Sequence, residues 1–191
     1  MAKFSGYDIQ AMLYQGAQSQ IYRARELSTQ QQVILKTHAS EFPSTADIDR
    51  MRHEYKIGKL LNHPNIITYC REERANDKLL MIIEDYGASH LGAVTPEGGM
   101  ALDLFISTSL QLVEGLSAIH DQGIIHKGIN PSNILVNPTT LVSKFSDFSL
   151  SSQLKLEALQ AVSPHQLEGA LSYISPEQTG RMNRNVDYRS D

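Results

Sequence analysis

The sequence predicts an α+β chain, mainly β in its first half and mainly α in its second. Three features predict it. Short apolar runs with period-two alternation fill the first part. A stretch rich in Gly, Ser and Pro, Gly87 to Gly99, interrupts them. The longest helical periodicity of the chain, roughly Ala101 to His120, comes next.

Tyr7 to Tyr14, Gln20 to Arg25 and Val33 to Thr37 read as strands, with polar Ser28-Thr29-Gln30 as a turn. A helix is expected from about Ser44 to Leu61. Ser44 is a suitable N-cap with Asp47 in the first turn, and Ile48, Met51, Gly58 and Leu61 share one stripe. Asn62-His63-Pro64-Asn65 ends it. Ile66 to Tyr69 and Lys78 to Glu84 read as two more strands, and Gly87 to Gly99 as a linker. In the following helix Leu102, Phe105, Ile106, Leu112, Val113, Leu116 and Ile119 recur at helical spacing, which predicts deep burial. Ile134 to Val136 and Val142 to Phe145 are short apolar runs between polar loops.

Composition narrows the function classes. The chain has 191 residues, a formal net charge of -4 and a sequence pI near 6.0. No global basic field favours nucleic acid or an anionic membrane. No uninterrupted apolar run approaches the ~20 residues a spanning helix needs, so none is expected. The first residues lack the apolar core of a signal peptide. Cys70 is the sole cysteine, which excludes an intrachain disulfide and any multi-cysteine metal site. A reduced, cytoplasmic setting is expected.

Two charged residues stand in apolar settings. Lys36 ends the strand run Val33-Ile34-Leu35, and Glu54 lies on the apolar stripe of the following helix. A core-facing carboxylate needs a cation, because an unpaired buried charge is costly. Lys36 is the expected partner. Further on, Gly123-Ile124-Ile125-His126-Lys127-Gly128-Ile129-Asn130-Pro131-Ser132-Asn133-Ile134-Leu135 is followed by Ser146-Asp147-Phe148-Ser149 and then by Tyr173-Ile174-Ser175-Pro176-Glu177. In order and spacing these resemble the catalytic loop, the magnesium-binding Asp-Phe-Gly motif and the Ala-Pro-Glu motif of protein kinases.

Leu171-Ser172-Tyr173-Ile174-Ser175-Pro176-Glu177-Gln178-Thr179-Gly180-Arg181-Met182-Asn183-Arg184 is also similar to a segment of large bacterial signalling proteins. Those begin with a serine/threonine-kinase-like domain and continue into a nucleotide-triphosphatase module, a GAF domain and a sensor histidine kinase. Tyr14-Gln15-Gly16, Ile21-Tyr22-Arg23 and Ile83-Glu84-Asp85-Tyr86-Gly87 fit that branch. The resemblance implies a bilobal protein-kinase-like fold. Residues 1–86 would form an N-lobe of five antiparallel strands and one helix. Residues 87–100 would form hinge and linker, and residues 101–191 part of a mainly helical C-lobe. It further implies ATP and Mg²⁺ as ligands. Gly16, Ile21, Lys36, Glu54, Glu84 and Tyr86 would serve the nucleotide, and Asn133 and Asp147 the metal.

Two departures bear on activity. Of the three glycines of the phosphate-covering loop only Gly16 is present, with Tyr14 and Ser19 at the flanking positions. Gly128 stands where the family carries the aspartate that orients the substrate hydroxyl and accepts its proton, and Asn130 stands in place of the phosphate-contacting lysine. His126 is expected to be a packing residue rather than an acid–base catalyst. Asp191 resembles the residue that caps the catalytic-loop backbone. Glu177 is expected to lack the arginine that normally pairs with it, and an uncovered apolar C-lobe surface would call for a protein partner. Three functions are compatible with these residues: an ATP·Mg-binding pseudokinase module, a weakly active serine/threonine kinase, and a remnant that binds no nucleotide.

Overall fold

The computed structural model describes residues 4–76, 78–154, 171–180 and 184–191; Arg181, Met182 and Asn183 of the similar segment lie outside them. The chain divides into two compact units, Met1–Lys59 with Ile67–Tyr86, and Leu60–Ile66 with Gly87–Asp191.

The first unit is a five-stranded antiparallel sheet carrying one helix. β1 (Tyr7–Gln15), β2 (Ser19–Glu26), β3 (Gln32–His38), β4 (Tyr69–Ala75) and β5 (Lys78–Glu84) lie in the order β1-β2-β3-β5-β4, with α1 (Thr45–Leu60) between β3 and β4 in sequence. Alternation turns Tyr22, Ala24, Val33, Leu35, Leu80 and Ile82 to one face, where they form a core with Phe4 and Tyr7. The same alternation turns Ile21, Lys36 and Met81 to the other face. There Ile21 pairs with Lys36, and Lys36 with Met81, in one row across three strands.

α1 begins with a reciprocal cap. Asp47 N donates to Ser44 Oγ at 3.2 Å, and Ser44 N donates to the Asp47 carboxylate at 3.0 Å. Its buried face carries Met51, Glu54, Ile57 and Gly58. Gly58 allows a close approach, since a Cβ there would lie 2.2 Å from the buried Tyr69 ring. Gly58→Ala gains up to about 1 kcal/mol of helix propensity. Overpacking against a ring with nowhere to go costs about 1–3 kcal/mol. The clash should win, and urea unfolding should show a net loss of stability.

One strand lies later than the apolar pattern suggests. Ile66 to Thr68 form no strand; Ile66 makes an isolated bridge to Phe145, and β4 is the mostly polar run Tyr69–Ala75. Ile66 and Ile67 are core residues without a ladder. β4 is an edge strand, where one face meets water and charged side chains are tolerated.

The second unit contains β6 (Ser89–His90), α2 (Leu91–Val94), α3 (Leu102–Asp121), β7 (Ile124–Ile125), β8 (Ile134–Val136), β9 (Ser143–Phe145) and β10 (Ser152–Gln153). β6, β8 and β9 form one small sheet, and β10 pairs with β7. The expected linker is therefore partly ordered structure: β6 pairs with β8, and His90 Nδ1 caps the single turn of α2 by accepting from Ala93 N at 3.1 Å.

The expectation of a deeply buried α3 is corrected. Only Thr108, Gly115 and Ile119 are buried, while Leu102 is 72% and Val113 66% exposed. The helix is apolar on more than one face, and periodicity cannot tell which face finds a partner. The buried face sits against Asn65 and Phe145, close enough that a Cβ on Gly115 would lie 3.0 Å from Asn65 O. Although no uninterrupted apolar run approaches the length of a spanning helix, α3 is long and apolar enough to cross a membrane by length and composition. Isolated Asp103 and Glu114 break its apolar runs without making the helix polar. Gln111 ties it into the unit, donating to Leu141 O at 3.0 Å and accepting from Ser143 N at 2.9 Å.

Candidate functional site

In the first unit, strand register and helix phase bring Lys36 and Glu54 together. Lys36 Nζ donates to the two Glu54 oxygens at 2.8 and 2.7 Å, with the side chains 9% and 2% exposed. Tyr69 Oη donates to Glu54 Oε1 at 3.0 Å. A buried carboxylate held by an ammonium and a phenol is the compensated arrangement that burial of charge requires. Half-buried Ile21 stands beside Lys36 on β2.

Gly16 lies at the β1–β2 turn, its N–H donating to Ser19 O at 3.0 Å. The Tyr14 ring covers its Cα so closely that a Cβ would fall 2.3 Å from the phenol oxygen. At the end of β5 the Glu84 carboxylate accepts from Thr68 N at 2.7 Å, so this side chain is engaged in holding backbone. Burial, aided by the charge of Glu84, pushes the Tyr86 phenol above its ordinary value.

In the second unit the β8–β9 hairpin positions the metal candidates. Ser146 N and Oγ both donate to Asn133 O, at 2.9 and 3.0 Å, so Asn133 and Asp147 leave the hairpin at neighbouring ends. Asn133 Nδ2 donates to Gly128 O at 2.9 Å, which fixes the amide orientation through its nitrogen. Asp147 adopts φ 61°, and its Oδ1 accepts from Ser149 N at 3.2 Å. Lys127, immediately before Gly128, has φ 60°. Non-glycine residues in this left-handed region cost energy and persist only where surroundings hold them. An amide oxygen and a carboxylate are hard donors of the type Mg²⁺ takes alongside water and phosphate, so the pair fits that ion.

Asn130 is used by the loop itself. Its Nδ2 donates to Gly128 O at 3.0 Å and its Oδ1 accepts from Ser132 N at 2.8 Å. At Gly128 an added Cβ would meet nothing closer than 3.5 Å. His126 is fully buried, with ring centroids 5.7 Å from Phe145 and 4.8 Å from Phe148. Its Nδ1 accepts from Gly128 N at 3.2 Å. Burial pushes its pKa down, opposed by the charges of Asp191 and Asp147. A neutral ring packed on two phenylalanines and accepting from backbone is a structural part.

Asp191 caps the loop from below. Its oxygens accept from His126 N at 2.8 Å and Lys127 N at 2.7 Å, and one lies 2.9 Å from His120 Nε2. Glu177, expected to lack its arginine, is held by a hydroxyl. Ser190 Oγ donates to it at 2.5 Å and this bond, reinforced by the charge of Arg184, holds the carboxyl below its usual range. Sequence reasoning also passed over Gln178, whose Nε2 donates to Lys127 O at 2.9 Å. The spacing Ser175-Pro176-Glu177-Gln178, a capping-box pattern, was the available signal.

Comparison with known proteins agrees with this geometry. The family described as protein kinase domain matches residues 7–191. CBL-interacting protein kinase 5 of Oryza sativa subsp. japonica is 27% identical over 90% of this chain and 37% of its own length. Serine/threonine-protein kinase pkn2 of Myxococcus xanthus is 26% identical over 92% of this chain and 21% of its own length. The chain thus spans well under half the length of these relatives. With a buried strand-lysine and helix-glutamate pair in one unit and an Asn-and-Asp hairpin in the other, matched by one family across nearly its whole length, the chain belongs to the protein kinase domain family.

Proposed function

We propose that this chain is an ATP·Mg-binding signalling module of the protein kinase fold, impaired in phosphoryl transfer. One observation carries the reading: the buried Lys36–Glu54 pair is kept, while Gly128 presents no side chain at the position of the family's catalytic base. Lys36 would hold the nucleotide phosphates, with Glu54 fixing its direction. Ile21, Gly16 and the backbone at Glu84 and Tyr86 would line the rest of the nucleotide site. Asn133 and Asp147 would hold Mg²⁺, whose chemistry is to neutralise charge on the phosphates.

A second reading, a weakly active serine/threonine kinase, draws on the names of the relatives and on the intact loop scaffold around Gly128. Phosphoryl transfer depends mostly on positioning and charge stabilisation, so loss of the base slows it rather than forbids it. We further propose a cytoplasmic module of the bacterial multidomain type. The exposed apolar side chains of α3, among them Leu102, Phe105 and Leu110, would be covered by a protein partner.

The test is thermal unfolding with ATP and Mg²⁺. Ligand at about 100 times Kd should add about 2.7 kcal/mol to the folded state. Lys36→Met should abolish the shift. No shift at millimolar ATP and Mg²⁺ leaves the non-binding remnant as the answer.

A further inference from the structure

We infer that Gln178 is a positioning residue that locks the peptide plane between Lys127 and Gly128, and through it the orientation of Asn133. Both edges of that plane are held by side chains. Its carbonyl, Lys127 O, accepts from Gln178 Nε2 at 2.9 Å, and its N–H, on Gly128, donates to His126 Nδ1 at 3.2 Å. The preceding N–H, on Lys127, donates to Asp191 Oδ1 at 2.7 Å.

The lock has something to resist. Lys127 sits at φ 60°, a conformation a residue with a Cβ leaves unless it is held. The next residue is glycine, whose backbone resists a peptide flip less than any other. Just beyond, Gly128 O receives the amides of Asn130 and Asn133 at 3.0 and 2.9 Å. If the Lys127–Gly128 plane turned, the carbonyl that anchors Asn133 Nδ2 would move with it.

Gln178 is itself anchored at its other end. Its Oε1 accepts from Ser175 N at 3.1 Å and Ser175 Oγ at 2.9 Å, closing the cap of the 3₁₀ turn Pro176–Thr179. One amide therefore does two jobs, with its acceptor in the cap and its donor on the catalytic loop. Neither glutamate nor methionine can do both. The metal consequence rests on the nucleotide reading above; the lock itself does not.

The experiment is hydrogen exchange by mass spectrometry on the 191-residue chain and its Gln178→Glu variant. Glutamate keeps the acceptor for the cap and loses the donor to Lys127 O. Exchange across residues 126–133 should rise at least about tenfold, with β3 and β5 unchanged. Gln178→Met, which lacks the donor without adding charge, should give the same localised rise. Unchanged exchange in both variants overturns the inference. So does a uniform rise across α3 and β8 in both, which would make Gln178 a general support of the unit. Titration of Mg²⁺ against ATP binding is the second readout, with a half-saturation point raised about tenfold in Gln178→Glu. A localised exchange effect in a chain that binds no ATP would sink the nucleotide reading and leave the lock standing.

Discussion

Gly128→Asp should raise phosphate transfer to a generic protein substrate by about 10²–10⁴, the usual worth of general-base assistance. The backbone admits the change. A Cβ at this position would meet the Asn133 amide and His126 Nδ1 at 3.5 Å and Leu150 Cδ1 at 3.6 Å, all ordinary contacts. The loop around it is already braced by Asn130, Asn133, His126 and Asp191. Radiolabel transfer with the two chains side by side decides it. Equal rates in the native chain and the variant would show that Gly128 is not what limits turnover.

Glu54→Ala should destabilise the first unit by about 3–5 kcal/mol, as loss of one member of a buried ion pair does. The substitution removes the acceptor of two Lys36 hydrogen bonds at 2.8 and 2.7 Å and of one from Tyr69 at 3.0 Å. The double variant Lys36→Met with Glu54→Met should recover most of that loss, since apolar replacement of both partners removes the desolvation cost as well. It should not recover any ATP-induced thermal shift. A single variant that unfolds within about 1 kcal/mol of the native chain would mean the pair contributes nothing to stability. Recovery of the ATP shift in the double variant would remove Lys36 from the nucleotide site.

Much of the fold was readable because the signals are local. The runs Gln20 to Arg25 and Val33 to Thr37 marked β2 and β3, and the Ser44–Asp47 cap marked the start of α1. Ile66 and Ile67 misled because burial without a ladder gives the same apolar run as a strand. β4 was placed too early because an edge strand can be polar. α3 shows the limit of periodicity most clearly, since of the seven apolar positions predicted to be buried only Ile119 is, and the other buried residues of the helix are Thr108 and Gly115.

At the site, the sequence alone determined which side chains are present and in what order, and hence that a lysine, a glutamate, an asparagine and an aspartate of the family are kept and one aspartate is not. It determined the absence of a side chain at Gly128 beyond dispute. Only the tertiary structure decided what holds those residues. The Tyr69 phenol on Glu54, the Ser190 hydroxyl on Glu177 and the Gln178 amide on Lys127 join positions 15, 13 and 51 residues apart. Such bonds leave no period in the sequence. They form when folded backbones meet, and only then does a polar side chain with several available partners settle on one.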